Sequence, residues 1–278
     1  MEAIKHITAV QIIEQKGTNS IPFLVLCDDG DLYVAKTMFK KHPPYEDLIN
    51  EILSVYFLEL MNVRTIKPAI IKIPQDVFNS ALQEGKQFDE RYNSLSFDNS
   101  FFFGSFQQPY TTEVEVYNTI LKNKHDFNKY SNPMDFIKIG IFDYWIANMD
   151  RRGSNPNILL NQTENGTFEF LPIDHTQAFA YQCDYKSLRL ALMSSLHTKS
   201  ILKTNMSKSI ISFASRELIA NFHKDILIDF GNVIDNIDFV FEQVPPQFGL
   251  SKKGRKKIVE ILSNAERNKI VSKIYFSI

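Results

Sequence analysis

Asp150, Asn155 and Asp174 supply hard oxygen atoms, and their types and spacing suit phosphoryl transfer. Asp150 and Asn155 stand five residues apart in Asn148-Met149-Asp150-Arg151-Arg152-Gly153-Ser154-Asn155-Pro156-Asn157-Ile158-Leu159-Leu160. Asp174 follows a turn at Glu164-Asn165-Gly166, within Leu171-Pro172-Ile173-Asp174-His175. A carboxylate on a short loop can accept, or at least orient, the proton of an attacking hydroxyl. An amide and a second carboxylate suit magnesium, which takes oxygen ligands and keeps waters and phosphate oxygens in the rest of its octahedron. Asn157 reaches the same strand entrance as Asn155; the five-residue spacing favours Asn155 as the ligand. Asn148 can brace the loop through bonds to backbone, and His175 can donate from behind Asp174 or simply be a satisfied polar residue. A surface ion pair of Asp150 with Arg151, and an Asx-turn at Asn155-Pro156-Asn157, are the bland alternatives. A loop between a buried helix and a strand is a poor setting for purely decorative polar residues.

Upstream, Lys36 ends the strand-like run Leu32-Tyr33-Val34-Ala35-Lys36, and Glu51 lies on the helix-like segment that follows. On that geometry Glu51 can pair with Lys36 and aim it at the α- and β-phosphates of a nucleotide; otherwise Glu51 is a first-turn acid favoured by the helix dipole. Gly17-Thr18-Asn19-Ser20 falls between two strands, where backbone N–H groups and small hydroxyls could cradle phosphates, or make a plain turn. It is no G-x-G-x-x-G, and no G-x-x-x-x-G-K-[ST] occurs, which disfavours a P-loop site. The six histidines show no H-E-x-x-H spacing, which disfavours zinc chemistry.

The run N-x-D-R-x-x-x-N-P-N-I-L with the later P-I-D-H resembles the catalytic and metal-binding segments of the HipA-like kinases. Leu32–Lys36 resembles that family's strand bearing the ATP lysine, Leu48-Ile49-Asn50-Glu51 its following helix, and Phe103-Gly104-Ser105 an element of some members. The similarity covers roughly residues 10–180; Arg152 departs from it, standing where a histidine or threonine is usual. The resemblance implies a protein-kinase-like fold, ATP and Mg2+ as cofactors, Asp150 as the catalytic residue, Asn155 and Asp174 as metal ligands, and Lys36, Glu51 and the 17–20 loop at the nucleotide. Asn148, Arg151, Asn157 and His175 become supporting residues. It also implies a serine/threonine protein kinase, often half of a toxin-antitoxin pair. With kinase-like strands starting almost at residue 1, the family's additional N-terminal subdomain is expected to be missing or encoded separately, which implies a small antitoxin-like partner protein. A small-molecule or lipid kinase, or an inactive nucleotide-binding module, remain the other readings. The phosphate acceptor is expected to be a protein or small-molecule hydroxyl, and Thr18 or Ser20 are candidates for autophosphorylation.

These residues need elements to position them. β-branched and aromatic residues dominate 7–13 and 22–37, broken by Lys16–Ser20 and Asp28-Asp29-Gly30-Asp31, which predicts strand, turn and hairpin. Leu48, Ile52, Val55, Tyr56, Leu58 and Met61 follow helical spacing over 45–61, and 65–73 returns to alternation. Residues 75–110 show no steady period and predict a long, partly mobile connection. The run 133–149 is apolar all round, as in a helix buried in a large core. Strands are expected at 158–160 and 168–173, with helices thereafter. Such segregation predicts an α+β fold of two lobes, a strand-rich lobe at 1–110 and a helical lobe at 111–278.

With 278 residues and 44% apolar content the chain can fill a sizeable core. A formal net charge of −1 gives no overall cationic field, so direct nucleic-acid binding is disfavoured. The local basic run Ser251–Lys257 reads as a solvated helix start. Cys27 and Cys183 sit in no metal or redox spacing and read as reduced thiols. The first residues make a poor secretory signal and no stretch suits a membrane span, so a cytoplasmic location is expected.

Overall fold

Alternation along the first strands sets up the site. In β2 (Phe23–Cys27) and β3 (Leu32–Lys36), Phe23, Val25, Cys27, Tyr33 and Ala35 are buried. Val34 and Lys36 therefore project from the opposite face of β3. With β1 (Lys5–Gln15), β4 (Pro68–Lys72) and β5 (Phe102–Phe106) these strands close a barrel in the order β1-β2-β3-β5-β4. The closure is made by parallel pairing of β1 with β4, from Lys5 opposite Ala69 to Thr8 opposite Lys72. The computed structural model describes residues 1–277 except 19, 110, 115–120, 182–184 and 191–198. Asn19 and Cys183 thus lie outside the described residues.

The segment 75–110 is more ordered than its irregular pattern predicts. It carries a helix, α2 (Gln75–Gln83), two short 3-10 turns and the central strand β5. Its aromatic residues obey no period because they come from short pieces that converge on one end of the barrel. Phe78 stacks on Phe97 at 4.2 Å between centroids, and Tyr92 stacks on Phe23 at 4.1 Å. Gly104 pairs with both Ala35 and Ala69 inside this barrel. A Cβ there would come within 2.4 Å of Ile71 Cδ1, so a larger residue would have to displace the Ile71 side chain.

Helix α1 (Glu46–Leu60) leaves the barrel and packs into a second, larger core. A three-stranded sheet joins β6 (Thr111–Glu113), β7 (Ile158–Gln162) and β8 (Phe168–Pro172); among the described residues two helices lie between β6 and β7, and the later ones follow β8. The helices are α3 (Lys124–Phe127), α4 (Met134–Trp145), α5 (Asn205–Phe213), α6 (Arg216–Asp235), α7 (Ile237–Glu242), α8 (Lys252–Leu262) and α9 (Ala265–Val271). α4 is buried on every side, as its composition predicts, with Trp145 stacked on Phe230 at 4.3 Å. The basic run at 251–257 is the capped start of α8: Ser251 accepts a hydrogen bond from the Gly254 N–H. Among the described residues no helix is long and apolar enough to cross a membrane.

Candidate active site

Lys36 reaches across from β3 to two carboxylates. Its Nζ lies 2.8 Å from Glu51 Oε1 on α1 and 3.1 Å from Asp174 Oδ1, just past β8. Burial alone would lower the ammonium, but the Glu51 and Asp174 charges outweigh it and hold Lys36 above its ordinary value. Burial would raise Glu51; the neighbouring Lys36 ammonium, helped by the nearby His175 and its backbone N–H, instead holds that carboxyl well below the usual range. Through these contacts Lys36 links barrel, helix and hairpin.

α1 is tied to the same place by a second set of bonds. Asn50 Nδ2 donates to the carbonyls of Thr176 at 2.7 Å and Ala178 at 3.1 Å, and the Tyr185 hydroxyl donates to Asn50 Oδ1 at 2.7 Å. The Thr176 hydroxyl donates to Asp174 Oδ1 at 3.2 Å.

The loop after α4 is organised around Arg151, whose guanidinium is fully buried. Nε faces Asp143 Oδ2 at 2.8 Å. Nη1 donates to the carbonyls of Pro156 and Asn157, and Nη2 donates to the Ile173 carbonyl at 3.1 Å and meets His175 Nε2 at 2.8 Å. A guanidinium has five N–H groups in a rigid fork, and here they bridge α4, the loop and the end of β8. Arg151 is thus no surface ion pair with Asp150; its partner is Asp143, which also accepts from Asn148 Nδ2 at 2.9 Å. Asn148 Oδ1 in turn faces the Asp150 N–H at 3.4 Å.

Asp150 Oδ2 accepts from Asn155 Nδ2 at 3.1 Å and from Asn157 Nδ2 at 3.2 Å. Both amides are therefore close to Asp150, and their oxygens are left to face other groups. The backbone here departs from ordinary geometry: Ala147, Asn157, Asp174, Phe179 and Ala180 all have φ between 45° and 57°. Left-handed non-glycine residues cost energy and persist where surrounding bonds over-determine them. Arg151, Asn50 and the bonds from Phe179 N to Ile146 O (2.7 Å) and Ala180 N to Ala147 O (3.0 Å) do so here.

A cleft of about 100 Å³ opens beside Lys36. Val34, Ile66, Phe103, Leu159 and Ile173 form its apolar lining, and Lys36, Glu51 and Asp174 its charged lining. Barrel and hairpin both contribute, so the site lies where the two sheets meet. The 17–20 loop stands differently. Gly17, Thr18 and Ser20 do not line the cleft, and the bonds there are local, with Ile21 N donating to Thr18 O at 2.9 Å. Arg152 Nε donates to the Met149 carbonyl at 3.2 Å, folding its side chain back along the loop.

Sequence reasoning missed Asp143, Asn50 and Tyr185. For Asp143 a signal exists: a carboxylate within the apolar helix Ile139-Gly140-Ile141-Phe142-Asp143-Tyr144-Trp145 must be buried and therefore paired. Asn50 and Tyr185 leave no such trace, because their partners are distant in sequence.

A family model described as HipA-like kinase matches residues 9–269. No curated protein matches the chain. Among solved structures, the Helicobacter pylori proinflammatory kinase CtkA superposes with a TM-score of 0.60 at 12% identity, covering 99% of this chain and 98% of that one. A Golgi casein kinase with Mn/ADP bound gives 0.45 at 12% identity, covering 98% and 74%. HipA of Shewanella oneidensis MR-1, in a toxin-antitoxin complex with HipB and operator DNA, gives 0.41 at 11% identity, covering 88% and 58%. At 12% identity the first likeness is one of fold, and the other two are more distant still.

Proposed function

This chain belongs to the HipA-like kinase family, and on that premise we propose that it is an ATP- and magnesium-dependent kinase acting on serine or threonine hydroxyls of a protein. The observation that carries the reading is Lys36 held between Glu51 and Asp174, at 2.8 and 3.1 Å, with the Asp150 loop tied to the same hairpin by Arg151 at the Ile173 carbonyl. The barrel and the helical body, divided near residues 110 and 111, serve as the two lobes in this proposal, with the nucleotide between them.

The donors suit the metal. Asp174 already faces a cation, the Lys36 ammonium, and offers carboxylate oxygen, while Asn155 offers an amide oxygen. Those are hard ligands of the kind magnesium takes when phosphate oxygens and water complete its shell. When bound, the metal and nucleotide supply the phosphoryl group and neutralise its oxygens. Lys36 would bind the α- and β-phosphates, Glu51 would orient Lys36, and Asp150 would orient the acceptor hydroxyl and take its proton. The cleft, at about 100 Å³, is smaller than the ~300 Å³ or more of typical ligand pockets.

The family assignment favours a toxin role, a small antitoxin-like partner supplied by another chain, and a cytoplasmic location. Co-purification from the native host tests the partner. The kinase itself is tested by magnesium-dependent phosphate transfer from labelled ATP into host lysate. Transfer by the wild type, abolished in Asp150→Ala with nucleotide binding retained, is expected; a wild type that binds ATP yet modifies no acceptor would refute it.

A further inference from the structure

His175 has no exposed surface and lies between side chains from two different parts of the site. Its Nε2 is 2.8 Å from Arg151 Nη2, its backbone N–H donates to Glu51 Oε2 at 3.0 Å, and its Nδ1 is 3.6 Å from that same oxygen. Arginine nitrogens can only donate. Nε2 must then be the acceptor, and the ring proton must sit on Nδ1. A proton on Nε2 would set two donors against each other at 2.8 Å, and an imidazolium would add a like charge. Nδ1 is buried without a hydrogen bond. Its distance to Glu51 exceeds the usual range of ~2.7–3.2 Å by only a few tenths, and a small closure of α1 on the hairpin would satisfy it.

We infer that His175 is a positioning residue which, as the neutral Nδ1–H tautomer, couples the carboxylate steering Lys36 to the arginine supporting the Asp150 loop. Its effect on turnover rests on the kinase reading above, whereas the tautomer does not. One residue thereby serves both ends of the site: its backbone N–H restrains Glu51 at 3.0 Å, with Nδ1 facing the same oxygen at 3.6 Å, and its Nε2 restrains Arg151 at 2.8 Å.

Two substitutions separate the ends. In His175→Asn the amide nitrogen attached at Cγ replaces Nδ1, keeping a donor for Glu51 and losing the acceptor for Arg151. In His175→Gln the amide oxygen lies one bond further out, replacing Nε2 as acceptor and losing the donor. Loss of one buried bond corresponds to about a tenfold effect. His175→Asn, which loses the acceptor for Arg151, should lower kcat about tenfold with little change in KM for ATP; His175→Gln, which keeps that acceptor, should restore most of the lost kcat. A purely structural role would lower stability in both without splitting the constants, and that result would overturn the inference. Independently of activity, nitrogen NMR of the histidine-labelled wild type should report His175 neutral with its proton on Nδ1. A proton on Nε2 would overturn the inference even in an active kinase, whereas an inactive wild type with the Nδ1–H signature would sink only the kinase reading.

Discussion

Asp143 Oδ2 and Arg151 Nε lie 2.8 Å apart, with 5% and 0% of their side chains exposed. This contact joins the most buried helix to the loop bearing Asp150. Removing one member of a buried ion pair leaves the other uncompensated, typically at ~3–5 kcal/mol. Asp143→Ala should lose about that much stability in denaturant unfolding, and Asp143→Asn less, because its amide oxygen can still accept. An Asp143→Ala protein as stable as wild type would contradict the central place given to Arg151.

Asn155 and Asn157 both donate to Asp150, yet only Asn157 has a left-handed backbone, at φ 45°. Asparagine is among the few residues that tolerate that region, so position 157 has a conformational reason for its side chain. Position 155 has none, so under the proposed function its side chain is the one free to serve the metal. Asn155→Ala should raise the magnesium concentration for half-maximal activity by about tenfold, a 1.4 kcal/mol effect. Asn157→Ala should mainly cost ~1 kcal/mol of stability. Metal titrations of both variants decide between them.

Lys36 and Glu51 act as one unit if their 2.8 Å contact aims the ammonium at phosphate. Lys36→Met should then raise KM for ATP by tenfold or more, roughly 1.4 kcal/mol. Adding Glu51→Gln should cost little further, since neighbours in one network are not additive. Fully additive losses in a double-mutant cycle would show that the two residues work separately.

Gly104→Ala is expected to destabilise the barrel by ~1–3 kcal/mol, because overpacking displaces Ile71 or spreads the strands. Thermal unfolding of the variant measures this directly. An unchanged midpoint would mean that Ile71 yields without strain.

Burial pushes the Asp135 carboxyl up to about 7, with the Lys138 charge opposing. Its folded value lies above the unfolded one, so the folded state binds the extra proton between them. That contribution favours folding below about pH 4 and is lost as pH rises through about 7. Asp135→Asn, free of this penalty, should gain ~1–2 kcal/mol on the wild type between about pH 5 and pH 8. Urea midpoints at both pH values test it; a gap that shrinks with rising pH would reverse the sign.

What could be read in the sequence was what is local. Asp150, Asn155 and Asn157 sit in one short loop, and the alternation of Tyr33, Val34, Ala35 and Lys36 already sets Lys36 opposite the barrel interior. The 15-residue step from Lys36 to Glu51 crosses one strand end and one helix start. What could not be read depends on distant partners. Asn50 and Tyr185 are 135 residues apart, and the aromatic residues of 75–110 make sense only around Phe23. Arg151 was visible as a charge, but its burial follows from Asp143, whose meaning appears only once α4 is known to be enclosed.

The parallel seam between β1 and β4 has a consequence for how anything docks on the barrel. A sheet closed on itself offers no row of unpaired backbone groups to an incoming strand. Along Lys5 to Thr8 an incoming strand therefore finds no free edge, and strand exchange there would first require the seam to be torn open.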